Sequence, residues 1–97
     1  MVIISKTILR EFGLRHPDAA EALDNWYEIA KAANWNNVSE IRDTFNSVDF
    51  VKNDRFVFNI KGNRYRLVAM IFLDIRTVFI RFVGTHSEYD KIDVATI

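Results

Sequence analysis

Six side chains in the second half of the chain have the types and spacing to handle an anion: Lys61, Arg64, Arg66, Arg81, His86 and Tyr89. Gly62-Asn63 reads as a two-residue hairpin turn, which sets Lys61 opposite Arg64 and Asn59 opposite Arg66. Side chains alternate across a strand. Asn59, Lys61, Arg64 and Arg66 therefore share one face, and Phe56, Phe58, Ile60, Tyr65, Leu67 and Ala69 share the other. A second hairpin turning at Asp74-Ile75 sets Arg81 opposite Val68 and Val83 opposite Arg66. Arg81 then joins the cationic face, while Val78, Ile80 and Phe82 join the apolar one; a one-residue slip would bury the arginine and expose the phenylalanine. The polar run Gly84 to Lys91 brings His86 and Tyr89 to the same edge. Cations this close repel one another unless something anionic lies among them. An imidazole that titrates near neutrality, beside a phenol, adds groups able to carry protons. The bland alternative is a solubilising face whose arginines pair with acids from elsewhere in the chain.

The elements that must position these groups differ between the two halves. Val2-Ile3-Ile4 reads as a short buried strand, with Ser5 as a helix cap, Ile8, Leu9 and Phe12 as one apolar stripe, and Gly13 as a left-handed helix stop. Pro17 suits a first helical position, and Asp18 and Glu21 complement the helix dipole there. Ala19, Leu23, Trp26, Ala30 and Ala33 then form one buried face. Asn37 and Glu40 have capping-box spacing ahead of a third, short helix. From Phe50 to Val83 the period changes to that of three or four antiparallel strands. The reading is α+β: N-terminal helices packed on one face of an antiparallel β-sheet, with Val2–Ile4 joining that sheet.

At 97 residues the chain is one domain, residues 1–97. It carries 13 basic and 13 acidic side chains, so a strongly charged whole-molecule field is excluded. The neutral total divides unequally, however: residues 1–50 hold five basic and eight acidic groups, and residues 51–97 hold eight and five. That asymmetry also suggests an anionic partner. With 49% hydrophobic residues, disorder is excluded, and the absence of cysteine rules out a disulfide scaffold and suits a reducing cytosol. No apolar run approaches a membrane span and no signal peptide is visible. Two isolated histidines without acids at ligand spacing argue against a metal site, and there is no phosphate-binding glycine loop or cysteine nucleophile. His16 reads as an exposed cap residue, and Trp26, Tyr27 and Trp35 as core or a partner surface. Val57, Val68, Met70, Phe72 and Phe79 make the cationic side of the sheet apolar along part of its length, so a chain terminus or another protein should cover it.

The segment Asn59-Ile60-Lys61-Gly62-Asn63-Arg64-Tyr65-Arg66-Leu67-Val68, taken with Ile80-Arg81-Phe82-Val83-Gly84-Thr85-His86-Ser87-Glu88-Tyr89-Asp90-Lys91-Ile92-Asp93, strongly resembles the HigB toxins. These are messenger-RNA interferases of the wider RelE superfamily. The resemblance extends through Ile3-Ile4-Ser5, His16-Pro17-Asp18-Ala19, Trp26-Tyr27 and Ala33-Asn34-Trp35, and so covers essentially the whole chain. It implies helices on an antiparallel sheet, cleavage of mRNA on the translating ribosome without metal or cofactor, a cytoplasmic site of action, and neutralisation by a HigA-type helix-turn-helix antitoxin in a toxin–antitoxin hetero-oligomer.

By position, the resemblance makes Arg66 the arginine of the superfamily's Tyr-Arg-Leu strand, which contacts the scissile phosphate. His86 stands where many relatives place an arginine, Tyr89 matches a C-terminal tyrosine, and Asn59 occupies a place where some relatives carry a catalytic lysine. The implied chemistry uses the RNA 2′-hydroxyl as nucleophile. Lys61 and Arg66 act as phosphate clamps and His86 and Tyr89 as the acid–base pair, with Asn59, Arg64, Arg81 and Lys91 binding the strand. Two rival readings use the same face: a non-catalytic RNA- or ribosome-binding module, and a protein-interaction domain with an acidic mate.

Overall fold

A computed structural model describes residues 1–97. Strand β1 (Val2–Ile4) leads into helices α1 (Lys6–Arg15), α2 (Pro17–Ala32) and α3 (Val38–Thr44). Strands β2 (Val48–Phe50), β3 (Arg55–Ile60), β4 (Tyr65–Phe72) and β5 (Thr77–Thr85) follow, and a one-turn helix α4 (His86–Tyr89) comes after them. The sheet order is β1-β5-β4-β3-β2. The class is α+β as expected, but the sheet is mixed: β1 lies parallel to β5, with Ile3 beside Val78, while the other neighbours are antiparallel. A strand followed by a helical layer before it rejoins the sheet can enter beside β5 in either sense, and alternation alone does not say which.

The helices supply the apolar side chains that their spacing promised. Leu9 and Phe12 of α1, Ala19, Leu23, Trp26 and Ala30 of α2, and Ile41 of α3 pack with Phe56, Phe58, Ile60, Tyr65, Leu67, Ala69, Ile71, Val78, Ile80 and Val83 of the sheet. Large apolar side chains buried this fully contribute about 1.5–3 kcal/mol each before conformational entropy is charged against them. Two local expectations fail. Ser5 precedes α1 in a left-handed conformation (φ 74°) and its hydroxyl makes no capping bond, because the chain must reverse sharply between β1 and α1. Gly13 does not stop the helix, which continues to Arg15. Its missing side chain instead lets α1 approach α2, where an added Cβ would stand 3.3 Å from the Ala20 Cβ. Asn37 does cap α3, accepting from the Glu40 amide at 2.9 Å.

The first hairpin has the expected register, Asn59 opposite Arg66 and Ile60 opposite Tyr65. Its loop is longer than two residues: Lys61 to Arg64 all lie outside the ladder, and Lys61 (φ 52°) and Gly62 (φ 66°) are both left-handed. The second hairpin departs further. Near the turn the pairs are as expected, with Ile80 opposite Ala69, but beyond it Phe82 faces Val68, Val83 faces Leu67 and Gly84 faces Arg66. Arg81 is the extra residue of a β-bulge, exposed and without a ladder partner. The bulge lets Ile80 and Val83, three residues apart, both reach the helix-covered core, which strict alternation forbids. Phe82 consequently lies on the opposite face, beside Val68.

That opposite face is not bare. Val57 and Val68 are 5% and 0% exposed although no helix of the main layer covers them, and Phe72 and Phe79 pack edge to face at 5.7 Å. The C-terminal segment is tied to the start of β3 on this side. Arg55 donates from Nε to the Ile97 backbone oxygen at 3.1 Å, and Asn53 donates to the Ala95 carbonyl at 3.3 Å. Of the two covers anticipated from sequence, the chain's own C-terminal segment is therefore the one anchored here.

Candidate active site

Three of the groups singled out from sequence, Arg66, His86 and Tyr89, stand at the end of the sheet where the start of β4, the end of β5 and α4 meet. Arg66 projects from the second residue of β4, opposite Gly84. Its Nη1 donates to the Asn63 carbonyl at 3.2 Å, and its guanidinium carbon lies 5.8 Å from the centre of the Tyr89 ring. A cation over an aromatic face is held electrostatically, and the bond to Asn63 orients the fork. Nε and Nη2 are left without protein partners, free to meet an anion.

Tyr89 and His86 are carried by α4, which the sequence reading left as a polar tail. The helix exists because Thr85 and Glu88 form a capping box: the Thr85 hydroxyl accepts from the Glu88 amide at 3.2 Å, and the Glu88 carboxylate accepts from the Thr85 amide at 2.8 Å. That Thr85 amide bond holds the Glu88 carboxyl below the ordinary carboxylate range, with the charges of His16 and Arg15 adding to the effect. The Thr-x-x-Glu spacing was legible in the sequence and is the signal that would have located α4. His86 opens the helix, and its Nδ1 lies 3.3 Å from Asp90 Oδ2, one turn later. A carboxylate on one ring nitrogen orients the imidazole and leaves Nε2 for chemistry. Asp90 was not singled out beforehand; its signal is the four-residue spacing to His86.

The structure separates residues that the sequence placed on one cationic face. Lys61 and Arg64 do not continue the strand alternation. Leaving the ladder in the hairpin loop, they turn toward the helix layer and the start of α2. Lys61 Nζ donates to the Asp18 carbonyl at 3.0 Å, and Arg64 Nη1 donates to Asp18 Oδ2 at 3.1 Å. Tyr65, from the core side of β4, donates its hydroxyl to the same carboxylate. The Tyr65 hydrogen bond, then the charges of Arg64 and Lys61, keep the Asp18 carboxyl below its usual range against a smaller desolvation effect. Asp18 thus does more than complement a helix dipole, and no local signal marks it, since its partners lie more than 40 residues away. Arg81 stands apart in the bulge. Asn59 donates to the Ser47 hydroxyl across to the chain before β2, and Lys91 is exposed beyond α4.

His16 holds the cap position between α1 and α2, as its place before Pro17 suggests, but it is not exposed. It is half-buried between α1 and α2, stacks on Phe12 at 4.3 Å, and lies 5.5 Å from the Tyr65 ring. Trp26 and Trp35 are core residues; the Trp35 indole donates to the Thr44 hydroxyl at 2.8 Å.

Residues 19–92 match the family model described as HigB_toxin, RelE-like toxic component of a toxin-antitoxin system. The chain belongs to the HigB toxin family. Among its relatives is the mRNA interferase HigB of Escherichia coli O6:H1, 32% identical over 94 residues that cover 95% of this chain and 91% of that protein. The mRNA interferase HigB of Shigella flexneri is 29% identical over 92 residues, covering 93% and 88%. This HigB family member is therefore a toxin of a toxin–antitoxin system, with an antitoxin as its partner, and the fold and the resemblance carried by the hairpin strings agree with it. No helix is long and apolar enough to cross a membrane.

Proposed function

We propose that this HigB family member is a ribosome-dependent endoribonuclease that cuts translated mRNA and so stops protein synthesis. The observation that carries the reading is the Arg66–Tyr89 pair at 5.8 Å with His86 on the same turn of helix. It supports the reading because an oriented cation stands against the Tyr89 ring and the same short helix carries His86. RNA brings its own nucleophile, so the protein has only to align the 2′-hydroxyl with the bond to the 5′-oxygen. One of His86 and Tyr89 takes the 2′ proton and the other protonates the leaving 5′-oxygen. Arg66 neutralises the charge that builds on the non-bridging oxygens, and Asn59, Lys61, Arg64, Arg81 and Lys91 hold the flanking strand. The products are a 2′,3′-cyclic phosphate, or the 3′-phosphate formed from it, and a 5′-hydroxyl. No step calls for a metal or cofactor. Residues 1–97 act as one toxin domain in the cytoplasm, where ribosomes and a HigA-type helix-turn-helix antitoxin meet it in a toxin–antitoxin complex.

The test is to add purified toxin to programmed, translating ribosomes and map new 5′ ends on the message, with Arg66→Ala beside wild type. Codon-phased cuts should fall by about 10²–10³-fold in the variant, the usual loss when one preorganised charge contact is removed. Folded toxin, free of antitoxin, that makes no cuts would leave an RNA-binding module in place of the nuclease.

A further inference from the structure

The donors around Asp18 form a second anion site, on the helix side of β4, whereas Arg66 projects from its other face. Arg64 Nη1 lies 3.1 Å from Oδ2, the Tyr65 hydroxyl lies 2.7 and 2.8 Å from Oδ1 and Oδ2, and Lys61 Nζ reaches the backbone oxygen of the same residue at 3.0 Å. One cation and a phenol thus meet the carboxylate, which carries a single negative charge on two equivalent oxygens, and a second cation sits on the backbone oxygen of the same residue. A phosphodiester presents the same charge and the same pair of acceptors, with tetrahedral oxygens that a guanidinium fork and an ammonium meet well.

The site is built to exchange its occupant. Its floor is fixed: Tyr65 is 7% exposed and packs against Phe12, edge to face at 5.4 Å, and against His16. Its walls are open, since the Arg64 side chain is 66% exposed and that of Asp18 36%. Exposed ion pairs are weakly held because water screens them and two long side chains lose freedom in making them. A phosphate further along a strand already held at Arg66 competes at raised local concentration.

We propose that Lys61, Arg64 and Tyr65 form a phosphodiester subsite separate from the Arg66–Tyr89 pair, which Asp18 occupies in the free toxin and yields to a backbone phosphate of bound RNA. The inference rests on the reading that RNA binds at this end of the sheet. Asp18 is then an internal competitor. It pairs with Arg64 through its carboxylate and holds Lys61 through its backbone oxygen until a strand arrives, which lowers affinity for stray polyanions and reserves full binding for RNA that also engages Arg66.

The test measures binding of a short single-stranded RNA over a salt series for wild type, Asp18→Asn, Glu28→Gln and Arg64→Gln. Asparagine keeps an acceptor for Tyr65 and removes the charge. Glu28→Gln makes the same charge change about 15 Å further along α2. Asp18→Asn should bind more tightly than Glu28→Gln, at a log–log salt slope equal to that of wild type, because the same phosphate contacts form once Asp18 has yielded. Arg64→Gln, whose exposed side chain folding does not require, should make the wild-type slope shallower by about 0.7. Asp18→Asn and Glu28→Gln with equal affinities, or Arg64→Gln with an unchanged slope, would overturn the inference. If wild type still cuts messages on translating ribosomes in either case, the nuclease reading stands alone. Neither RNA binding nor cleavage by wild type would overturn both.

Discussion

The Tyr65 hydroxyl is within hydrogen-bonding distance of both carboxylate oxygens of Asp18, at 2.7 and 2.8 Å, across 47 residues of sequence. This bond ties the tip of the β3–β4 hairpin to the first turn of α2, and so joins the sheet to the helix layer at the edge where the candidate catalytic groups stand.

The bond predicts opposite behaviour at the two ends of the pH scale. The Tyr65 hydrogen bond, helped by Arg64 and Lys61, holds the Asp18 carboxyl below its ordinary 3.8. A depressed carboxylate contributes stability that is present above its unfolded value and lost as pH falls through the lower folded value. Tyr65 is raised above its ordinary 10.0, chiefly by the same bond. Its contribution is complete below that value and lost as pH rises through the higher folded one. Thermal midpoints should therefore fall more steeply below about pH 4 in wild type than in Asp18→Asn, and more steeply above about pH 10 in wild type than in Tyr65→Phe. Parallel curves in either comparison would contradict the assignment.

Gly84 has no room for a side chain. A Cβ there would lie 2.5 Å from Phe82 Cζ and 3.1 Å from Glu88 Oε1, facing Arg66 across the ladder. Relief requires the half-buried Phe82 ring and the capping carboxylate to shift together. Gly84→Ala should cost about 1–3 kcal/mol by overpacking and should also lower cleavage, through displacement of α4. Equilibrium denaturation beside a cleavage assay would show both effects. A variant with wild-type stability would mean that Phe82 swings away freely.

Thr85 is what turns a polar tail into a helix. Thr85→Ala removes the acceptor for the Glu88 amide and should cost roughly 1 kcal/mol, the common value for a lost N-cap. In a domain of this size that is a fall of roughly 4–8 °C in Tm. Because α4 is one turn long, cleavage should fall by more than the stability loss explains, while Thr85→Ser should restore both. Full activity in the alanine variant would show that His86 and Tyr89 hold their places without the cap.

His86 and Tyr89 are predicted to act in proton transfer. His86→Ala and Tyr89→Phe should each retain the wild-type fold and lose about 10²–10⁴-fold in single-turnover cleavage on programmed ribosomes. Each should also abolish one limb of the pH–rate profile. Asp90→Asn, which removes the carboxylate that orients the ring through His86 Nδ1, should lower cleavage by less than His86→Ala does. Undiminished cleavage by a folded His86→Ala variant would take the imidazole out of the mechanism.

The chain's periodicities by themselves determined the helical layer, the first hairpin and the class of fold. Ala19, Leu23, Trp26 and Ala30 at helical spacing can bury only one way, and Phe58 and Ile60 against Tyr65 and Leu67 have one register that keeps charges out of the core. The identities of Arg66, His86 and Tyr89 as neighbours were legible for the same reason, since a hairpin and a short following segment are local geometry. What the tertiary structure decided was wherever two elements distant in sequence compete for one group. Lys61 and Arg64 abandon strand alternation because Asp18 of α2 offers a backbone carbonyl to one and a carboxylate to the other beyond the last ladder pair. Arg81 becomes a bulge because Ile80 and Val83 must both reach a core that the helices have shaped. Alternation counts residues along one strand, whereas charge pairing and burial depend on what stands opposite; only the packed structure specifies that.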